Sequence, residues 1–556
     1  MRYLLLLFFL LLVGCGVEDS PPEGVLRYAI GASSGLRGQF DALYSMDVND
    51  GFVGGLIHEP LLATDDTLHY TNEGSIASMS YDRAANTITL RLDRDVYWHD
   101  GTPLSLDDLV FAYEVIAHPD YDGIRLSDQV LNVVGVREYN QGLLEKISGL
   151  RLEEDGRELT IYLHKLLPTT LMGGGFWATP APRHWLGGIP VSELGRHPRV
   201  RHETIGVGPF HVESAVVGEA IRLRAFGEYW QGRPLLDGID IEVMNPELLP
   251  MAMKRERFDV APISPQQLGR PVPKGYTYVP NKDSSGVFGY LGFRLGSGGS
   301  YRDRRHIHNP ALRRAIAHAI DYNAIGAALY NGTRRPATTI VPPLHIALQD
   351  ESLEGFAYDP DLARRILDEA GFVDTDGDGL REAPDGGPLT IRWATTSGEG
   401  TDVYVAYKLQ SLEDIGLDVR LYQGRTHEFN TYYSLLSGEA DIDMFDAAWS
   451  VGYDPNPSRL WGPSSPLNYT RYSSESFSKI LSSLEQEDMW HESTRKKAYN
   501  AWQQAFYNEI PAIPTLWRQD YTAVHQRVQN YDPQAVEWHR IALGRRLPPT
   551  EKTCGI

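Results

Sequence analysis

The stretch TITLRLDRDVYWHDGTPLSLDDLVFAY, Thr87 to Tyr113, poses a choice that bears on the whole chain. Its polar residues crowd together: His99 beside Asp100, then Ser105, Asp107 and Asp108. Such a group is either a catalytic cluster or a turn. The flanks select the turn. Thr87 to Leu92 alternates polar and apolar residues, the period of a half-buried strand. His99-Asp100-Gly101-Thr102-Pro103 then reads as a loop, with glycine free to take positive φ and proline punctuating the chain. Leu106, Leu109, Val110 and Tyr113 recur at helical spacing until Pro119. Ser105 with Asp108 three residues on forms a capping-box pattern, using Asp where Glu or Gln is usual. A hydroxyl in that place accepts a backbone N–H and is poorly used as a nucleophile. The stretch is therefore a strand, a turn and a helix.

Working outward, the same patterns recur. Leu159-Thr160-Ile161-Tyr162-Leu163-His164 alternates again. Asn309-Pro310-Ala311 opens a helix carried by Leu312, Ala315, Ile316, Ala319 and Ile320, with proline in the first turn as helix starts prefer. Further helices are expected over 360–370, stopped by Gly371, over 403–414, stopped by Gly416, and over 474–508 in two pieces, ending before Pro511. Strand patterns interleaved with helix patterns mark a mixed α/β chain. Its 556 residues exceed what one hydrophobic core usually supports, so two or three subdomains are expected. The formal net charge of −21 disfavours a nucleic-acid partner, because a polyanion would be repelled.

The chain has two cysteines. Met1-Arg2-Tyr3 leads into an apolar run from Leu4 to Val13, too short to span a bilayer but of signal-peptide length. The run closes in Leu12-Val13-Gly14-Cys15, which resembles a lipobox, where Cys15 is diacylated and becomes the mature N-terminus. The plainer alternative is an ordinary signal with an incidental cysteine. Glu18 to Gly24 then reads as a short tether. Cys554 would be left unpaired, and two cysteines so placed cannot form a C-x-x-C metal or redox motif.

Several segments occur in a telling order. After Thr87–Tyr113 come Ile205-Gly206-Val207-Gly208-Pro209-Phe210 and Glu228-Tyr229-Trp230-Gln231-Gly232-Arg233-Pro234. Next are Leu312-Arg313-Arg314-Ala315-Ile316-Ala317-His318-Ala319-Ile320-Asp321, Asn331-Gly332 and Pro342-Pro343. Last are Ala448-Trp449-Ser450-Val451-Gly452-Tyr453-Asp454-Pro455 and Glu509-Ile510-Pro511-Ala512-Ile513-Pro514. In this order and spacing the chain resembles the large extracellular solute-binding proteins of ABC importers, family 5, the oligopeptide/dipeptide/nickel-binding type. The resemblance implies an α/β fold: a two-lobed periplasmic-binding-protein clamshell of the class II type with an extra subdomain on the first lobe. Carried over, it implies a lipoprotein signal peptide at 1–14 and a tether at 15–24. Lobe I would comprise 25–65, 182–286 and 516–556, the extra subdomain 66–181, and lobe II 287–515. Hinges near Val287 and Thr515 would permit closure. It also implies a monomer without a chemical step, lipid-anchored in the cell envelope, either in the periplasmic space or on the outer face of the cytoplasmic membrane. Such a protein delivers a peptide or other small solute to an ABC transporter permease.

In peptide-binding relatives the counterpart of Met444–Asp454 lines the cleft, so the resemblance nominates Trp449, Ser450, Gly452, Tyr453 and Asp454 as ligand-binding residues. It also implies a carboxylate for the peptide's α-amino group. The best-known form has Asp three residues after Trp, a place held here by Gly452; the available carboxylate is Asp454, five after Trp449. The alternative makes Asp454 a turn residue before Pro455.

The sharpest local motif is Asp374-Thr375-Asp376-Gly377-Asp378-Gly379-Leu380-Arg381-Glu382. Carboxylates at alternate positions with glycine at the sixth match the start of a calcium loop, where oxygens converge on one hard cation. Asp374, Asp376, Asp378, the Leu380 carbonyl, Glu382 and, at the twelfth position, Asp385 form the candidate set. The alternative is a polar turn between a helix and the strand at 389–393. Calcium there would be structural, and no cofactor is required. His-Glu-x-x-His and phosphate-loop patterns are missing from the sequence. A surface-anchored hydrolase remains the chief rival, since triads are geometric and can hide in sequence. A clamshell for a nickel chelate, haem or sugar, and a receptor without a transport partner, stay open as well.

Overall fold

The computed structural model describes residues 24–31, 36–281, 286–296, 306–398, 400–453, 455–463, 465–533 and 536–544. Cys15, Cys554 and Asp454 lie outside the described residues.

Thr87–Leu92 is a strand that buries Ile88, Leu90 and Leu92. Trp98 N–H donates to the Thr102 carbonyl at 2.8 Å across the turn, and Gly101 takes φ +85°, a conformation costly for any side-chain-bearing residue. Helix Asp107–Ile116 follows. The capping differs from the expected box in one detail. Ser105 Oγ accepts from Asp107 N at 3.0 Å, two residues on, while Asp108 Oδ2 accepts from Ser105 N at 3.1 Å. Asp108 also takes Trp98 Nε1 at 3.1 Å and Arg183 N at 3.0 Å. The acidic residues of this stretch tie a helix start to its surroundings.

Two large sheets organise the molecule. The first runs in the order Tyr276–Pro280, Tyr521–His525, Val260–Ile263, Val25–Gly31, Gly238–Met244, Ala220–Ala225, Phe210–Val216. Val25–Gly31 lies parallel to both Val260–Ile263 and Gly238–Met244, so the chain leaves the sheet and returns. The second runs Arg334–Pro336, Ala512–Arg518, Val287–Phe293, Met444–Ser450, Thr390–Ala394, Asp418–Leu421. A four-stranded antiparallel sheet, Ala77–Asp82, Thr87–Leu92, Glu158–Tyr162, Leu150–Leu152, forms the extra subdomain. Its core is continuous with first-lobe residues from Leu43 to Leu62 and from Leu186 to Val207, so it does not pack as an independent unit.

The boundary expected near Thr515 moves. Ala512–Arg518 is one unbroken strand, paired with Val287–Phe293 and with Arg334–Pro336 through Arg518. The chain therefore leaves the second sheet after Arg518 and joins the first at Tyr521. The two crossings are tied together: Asn281 N–H donates to the Asp520 carbonyl at 2.9 Å, and Gln519 Nε2 to the Asn281 carbonyl at 2.9 Å.

Two buried polar clusters fix these lobes. In the first, Asp259 is fully buried and shared by Arg27 and Arg527, which joins three distant chain segments. In the second, Asn309 caps helix Pro310–Ala319, and buried Arg313 donates Nε to the Ile510 carbonyl at 2.8 Å and Nη2 to the Glu509 carbonyl at 2.6 Å. A cation there satisfies the carbonyl end of helix Glu492–Glu509. The expected long helical stretch indeed comes in two main pieces, Glu475–Ser483 and Glu492–Glu509.

Candidate ligand-binding site

The strand Met444–Ser450 begins in the second-lobe core and ends at a cleft. Met444 and Phe445 are buried between two strand neighbours, Val287–Phe293 and Thr390–Ala394. Asp446 anchors it: Oδ1 accepts from Lys408 Nζ at 2.8 Å and Tyr404 OH at 3.0 Å, and Oδ2 accepts from Trp393 Nε1 at 3.0 Å. Lys408 is fully buried; desolvation lowers its pKa while Asp446 pulls it back up. Beyond Phe445 the pairing with Thr390–Ala394 stops. From Asp446 to Ser450 the strand has, among the described residues, a strand neighbour only on the Val287–Phe293 side.

The following loop is held in place. Val451 N–H donates to the Gly286 carbonyl at 3.0 Å. His345 Nε2 donates to the Gly452 carbonyl at 2.8 Å, and desolvation lowers the His345 pKa, so the ring is neutral with its proton on Nε2.

The candidate residues divide between two cavities. Trp449, Ser450 and Gly452 line a space of about 190 Å³ within the second lobe, walled also by Phe288, Trp461 and Trp502. Tyr453 lines a larger space of about 610 Å³ between the lobes, together with Thr64, Tyr70, Arg125 and Trp177 from the other side. Arg459 lines both. Neither Arg125 nor Arg459 was visible as a site residue in the sequence, because no motif links them and their positions lie 334 apart (459 − 125). Asp454 follows Tyr453 in the chain but lies outside the described residues.

Tyr453 reaches across the cleft. A Cβ built on Gly173 would collide with its ring and with the Thr64 methyl, so a residue without a side chain is what lets the ring seat there. The Gly173 loop is braced by Tyr70, whose hydroxyl accepts from Gly174 N at 2.8 Å and donates to the Phe176 carbonyl at 3.1 Å. The lobes meet again where Trp490 stacks on Tyr81, centroids 5.7 Å apart, with the Arg83 guanidinium 4.6 Å from the same indole. Lys165 Nζ donates to the Glu485 carbonyl, and Asn331 Nδ2 to the Pro265 carbonyl at 2.7 Å.

The acidic loop is only partly convergent. Single carboxylate oxygens of Asp374, Asp376 and Asp378 lie within 4.8 Å of one another, all exposed. Gly377 takes φ +84° as expected. Glu382 points instead to Thr375, accepting its N–H at 2.7 Å and its hydroxyl at 2.6 Å, and Asp385 accepts from Gly387 N at 3.2 Å. Of the five carboxylates in the expected set, three come together, each also accepting a backbone N–H of the loop.

One constellation has the residue types of a hydrolase. Thr204 Oγ1 donates to Asp41 Oδ2 at 3.1 Å and sits 3.2 Å from His58 Nε2. All three side chains are buried, at 3, 2 and 6 % exposure, so a substrate has no approach. Desolvation lowers His58 to about 4 and raises Asp41 to about 6. The cluster holds a junction between segments of the first lobe.

Residues 59–470 match the model of the bacterial extracellular solute-binding proteins, family 5. The oligopeptide-binding protein OppA of Lactococcus lactis subsp. lactis is 27% identical over 512 residues, covering 86% of this chain and 84% of that protein. The oligopeptide-binding protein AppA of Bacillus subtilis is 24% identical over 449 residues, covering 80% and 77%. Among solved structures, lactococcal OppA with an endogenous peptide in the closed conformation superposes with a TM-score of 0.79 at 25% identity, covering 94% of this chain and all of that one. NikZ of Campylobacter jejuni in complex with Ni(L-His) superposes at 0.70 and 18% identity over 93% of this chain and 97% of that one, a likeness of fold. Among the described residues, no helix is long and apolar enough to cross a membrane. Two lobes with an extra subdomain, a cleft walled from both sides and a family match over most of its length establish that this chain belongs to the bacterial extracellular solute-binding proteins of family 5.

Proposed function

We propose that this protein captures a short peptide between its lobes, is held at the membrane by lipid on Cys15, and passes its cargo to an ABC permease without a chemical step. The observation that carries this reading is the strand Met444–Ser450, which leads through its loop to Tyr453 in the space between the lobes. Among the described residues, the strand has no strand neighbour on one side from Ala447 onward, and Tyr453 extends into the space between the lobes. An extended ligand would add its backbone to that side, a mode of recognition tolerant of sequence. The peptide-bound state of lactococcal OppA and the nonapeptide complex of B. subtilis AppA support the same assignment.

Closure follows from differential affinity. A ligand touching both walls favours the closed arrangement over the open one by the contacts made only when closed. Asp454 is the residue we assign to the peptide's α-amino group, since a buried ammonium needs a carboxylate partner.

Mass spectrometry of material released on gentle denaturation identifies the natural cargo; peptides are expected. By calorimetry, Asp454→Ala weakens free-amine peptides by about 2–5 kcal/mol, the usual loss on breaking a buried charge pair, and N-acetylated peptides bind the parent protein poorly. Equal binding of acetylated and free peptides reduces Asp454 to a turn residue. A sugar or metal chelate as sole cargo removes the peptide assignment.

A further inference from the structure

Among its described lining residues, the cavity between the lobes carries charge opposite to the net charge of the protein. The chain has 73 acidic and 52 basic residues, a formal net charge of −21. Among the described residues that line this cavity, the charged side chains are Arg125 and Arg459, one from each wall, and no aspartate or glutamate is present.

Both guanidiniums have donors to spare. Arg125 Nε and Nη2 donate to the Ala42 and Ser45 carbonyls at 3.1 and 2.6 Å, and the group lies 5.7 Å from the Trp177 ring. Those bonds fix its position and leave Nη1 without a partner among the described residues. Arg459 is exposed at the start of the short helix Ser458–Trp461 and has no ion pair among the described residues. An arginine cannot shed its charge, and its planar fork matches a carboxylate. A cleft lined by one sign of charge with low-dielectric walls focuses its field on whatever enters.

We propose that this cleft selects ligands bearing a carboxylate, bound by Arg125 and Arg459, and discriminates against peptides with cationic side chains. The inference rests on the peptide reading for the kind of molecule and adds the charge that molecule carries. The carboxylate comes from a peptide C-terminus or from an acidic side chain.

The test is calorimetry on the full chain at about 0.15 M salt, where the Debye length is about 8 Å. The probes are tetra-alanine as free acid and as amide, the amides of Ala-Glu-Ala-Ala and Ala-Lys-Ala-Ala, and glutarate as a non-peptide dianion. A carboxylate-bearing peptide is expected to bind at least about tenfold more tightly than the neutral amide, with the lysine peptide weakest. A preference for the free acid identifies the terminal carboxylate, and a preference for the glutamate amide identifies the side chain. Arg459→Gln should collapse that preference, bringing the acidic peptides to within about twofold of the neutral amide measured on the same variant. Arg125→Lys, which keeps the charge but loses the fork, covers the case where Arg125→Gln fails to fold. Equal affinity for neutral, acidic and basic peptides overturns the charge inference and leaves peptide binding standing. If no peptide binds, a glutarate-induced rise in melting temperature that Arg459→Gln abolishes keeps the anion inference and removes the peptide reading. Silence with glutarate as well overturns both.

Discussion

His99, in the turn between strand Thr87–Leu92 and helix Asp107–Ile116, is a bracket. Its Nε2 donates to the Gly208 carbonyl at 3.0 Å and its Nδ1 accepts from Gly206 N at 3.1 Å. The ring edges against Phe226, centroids 5.0 Å apart. Both nitrogens are committed only if the imidazole is neutral, and desolvation, reinforced by nearby His58 and His211, lowers its pKa to about 3. The sign of the pH dependence follows. Above about pH 6.5 neither folded nor unfolded chain protonates this ring. As pH falls from there toward 3, the unfolded chain takes up a proton that the folded chain refuses, and stability drops by up to about 1.4 kcal/mol per pH unit. His99→Gln keeps a donor for Gly208, so its stability between pH 6 and 4 should fall less steeply than the parent's by about one proton's slope. Urea melts across that range measure it; parallel slopes would remove the assignment. Burial also raises Glu59 to about 7, with the opposite sign, so the difference between the two proteins, and not either curve alone, is the readout. Sequence alone identified the turn around His99 correctly, but the partners at Gly206 and Gly208 lie over a hundred residues away and no local pattern announces them.

At the scale of elements, the informative junction is the strand Met444–Ser450 with its loop, facing the Gly173 turn. Gly173 needs no positive φ, so a larger residue can occupy its backbone conformation and acts by collision, with Tyr453 across the cleft and with the Thr64 methyl on its own side. Gly173→Val should therefore lower the melting temperature of the ligand-free protein only modestly, through the Thr64 contact. Peptide affinity should fall by about tenfold or more, because a variant held open gives up a share of the ligand's closed-state contacts. Calorimetry paired with small-angle scattering checks this; wild-type affinity would show that the Tyr453 contact is incidental to closure. The acidic loop is a second element-scale case. Three carboxylates with oxygens within 4.8 Å of one another repel, and a calcium ion would relieve that repulsion. Calcium is expected to raise the melting temperature, chelator to reverse it and Asp376→Ala to abolish the response, since a ligand of the folded state stabilises by mass action. A flat calcium titration would leave a turn held by its own hydrogen bonds. The alternate spacing of Asp374, Asp376 and Asp378 was legible in sequence; the diversion of Glu382 to Thr375 was not, because a long side chain chooses among neighbours that only the folded turn supplies.

For the whole molecule, the crossings between lobes govern function. Asn281 ties one crossing to the other through Gln519 and Asp520. Capture at a membrane further requires an anchor. Two acyl chains hold a protein stably where one does so only marginally. Cys15→Ser is expected to move the protein from the membrane fraction to the soluble fraction, with mass spectrometry of the parent's N-terminal peptide reporting the lipid. Unmodified mature protein beginning upstream of Cys15 would rule the anchor out.

Periodicity and punctuation in the sequence determined the local elements, because those depend on neighbours a few residues apart: Thr87–Leu92 alternates, Asn309 and Pro310 start a helix, and Gly371 and Gly416 end two others. The order of weak segments likewise determined the two-lobed class. Tertiary structure alone decided which residues share a space. Trp449, Ser450 and Gly452 turn into the second lobe while Tyr453 turns out to Gly173, although all sit within five positions. Arg125 and Arg459 face one cavity from opposite lobes. The lobe boundary moved past Thr515 because the hydrogen-bond ladder to Val287–Phe293 and Arg334–Pro336 holds through Arg518. In each case the deciding contact joins segments far apart in the chain, and the free energy of such contacts exists only once the fold has brought them together.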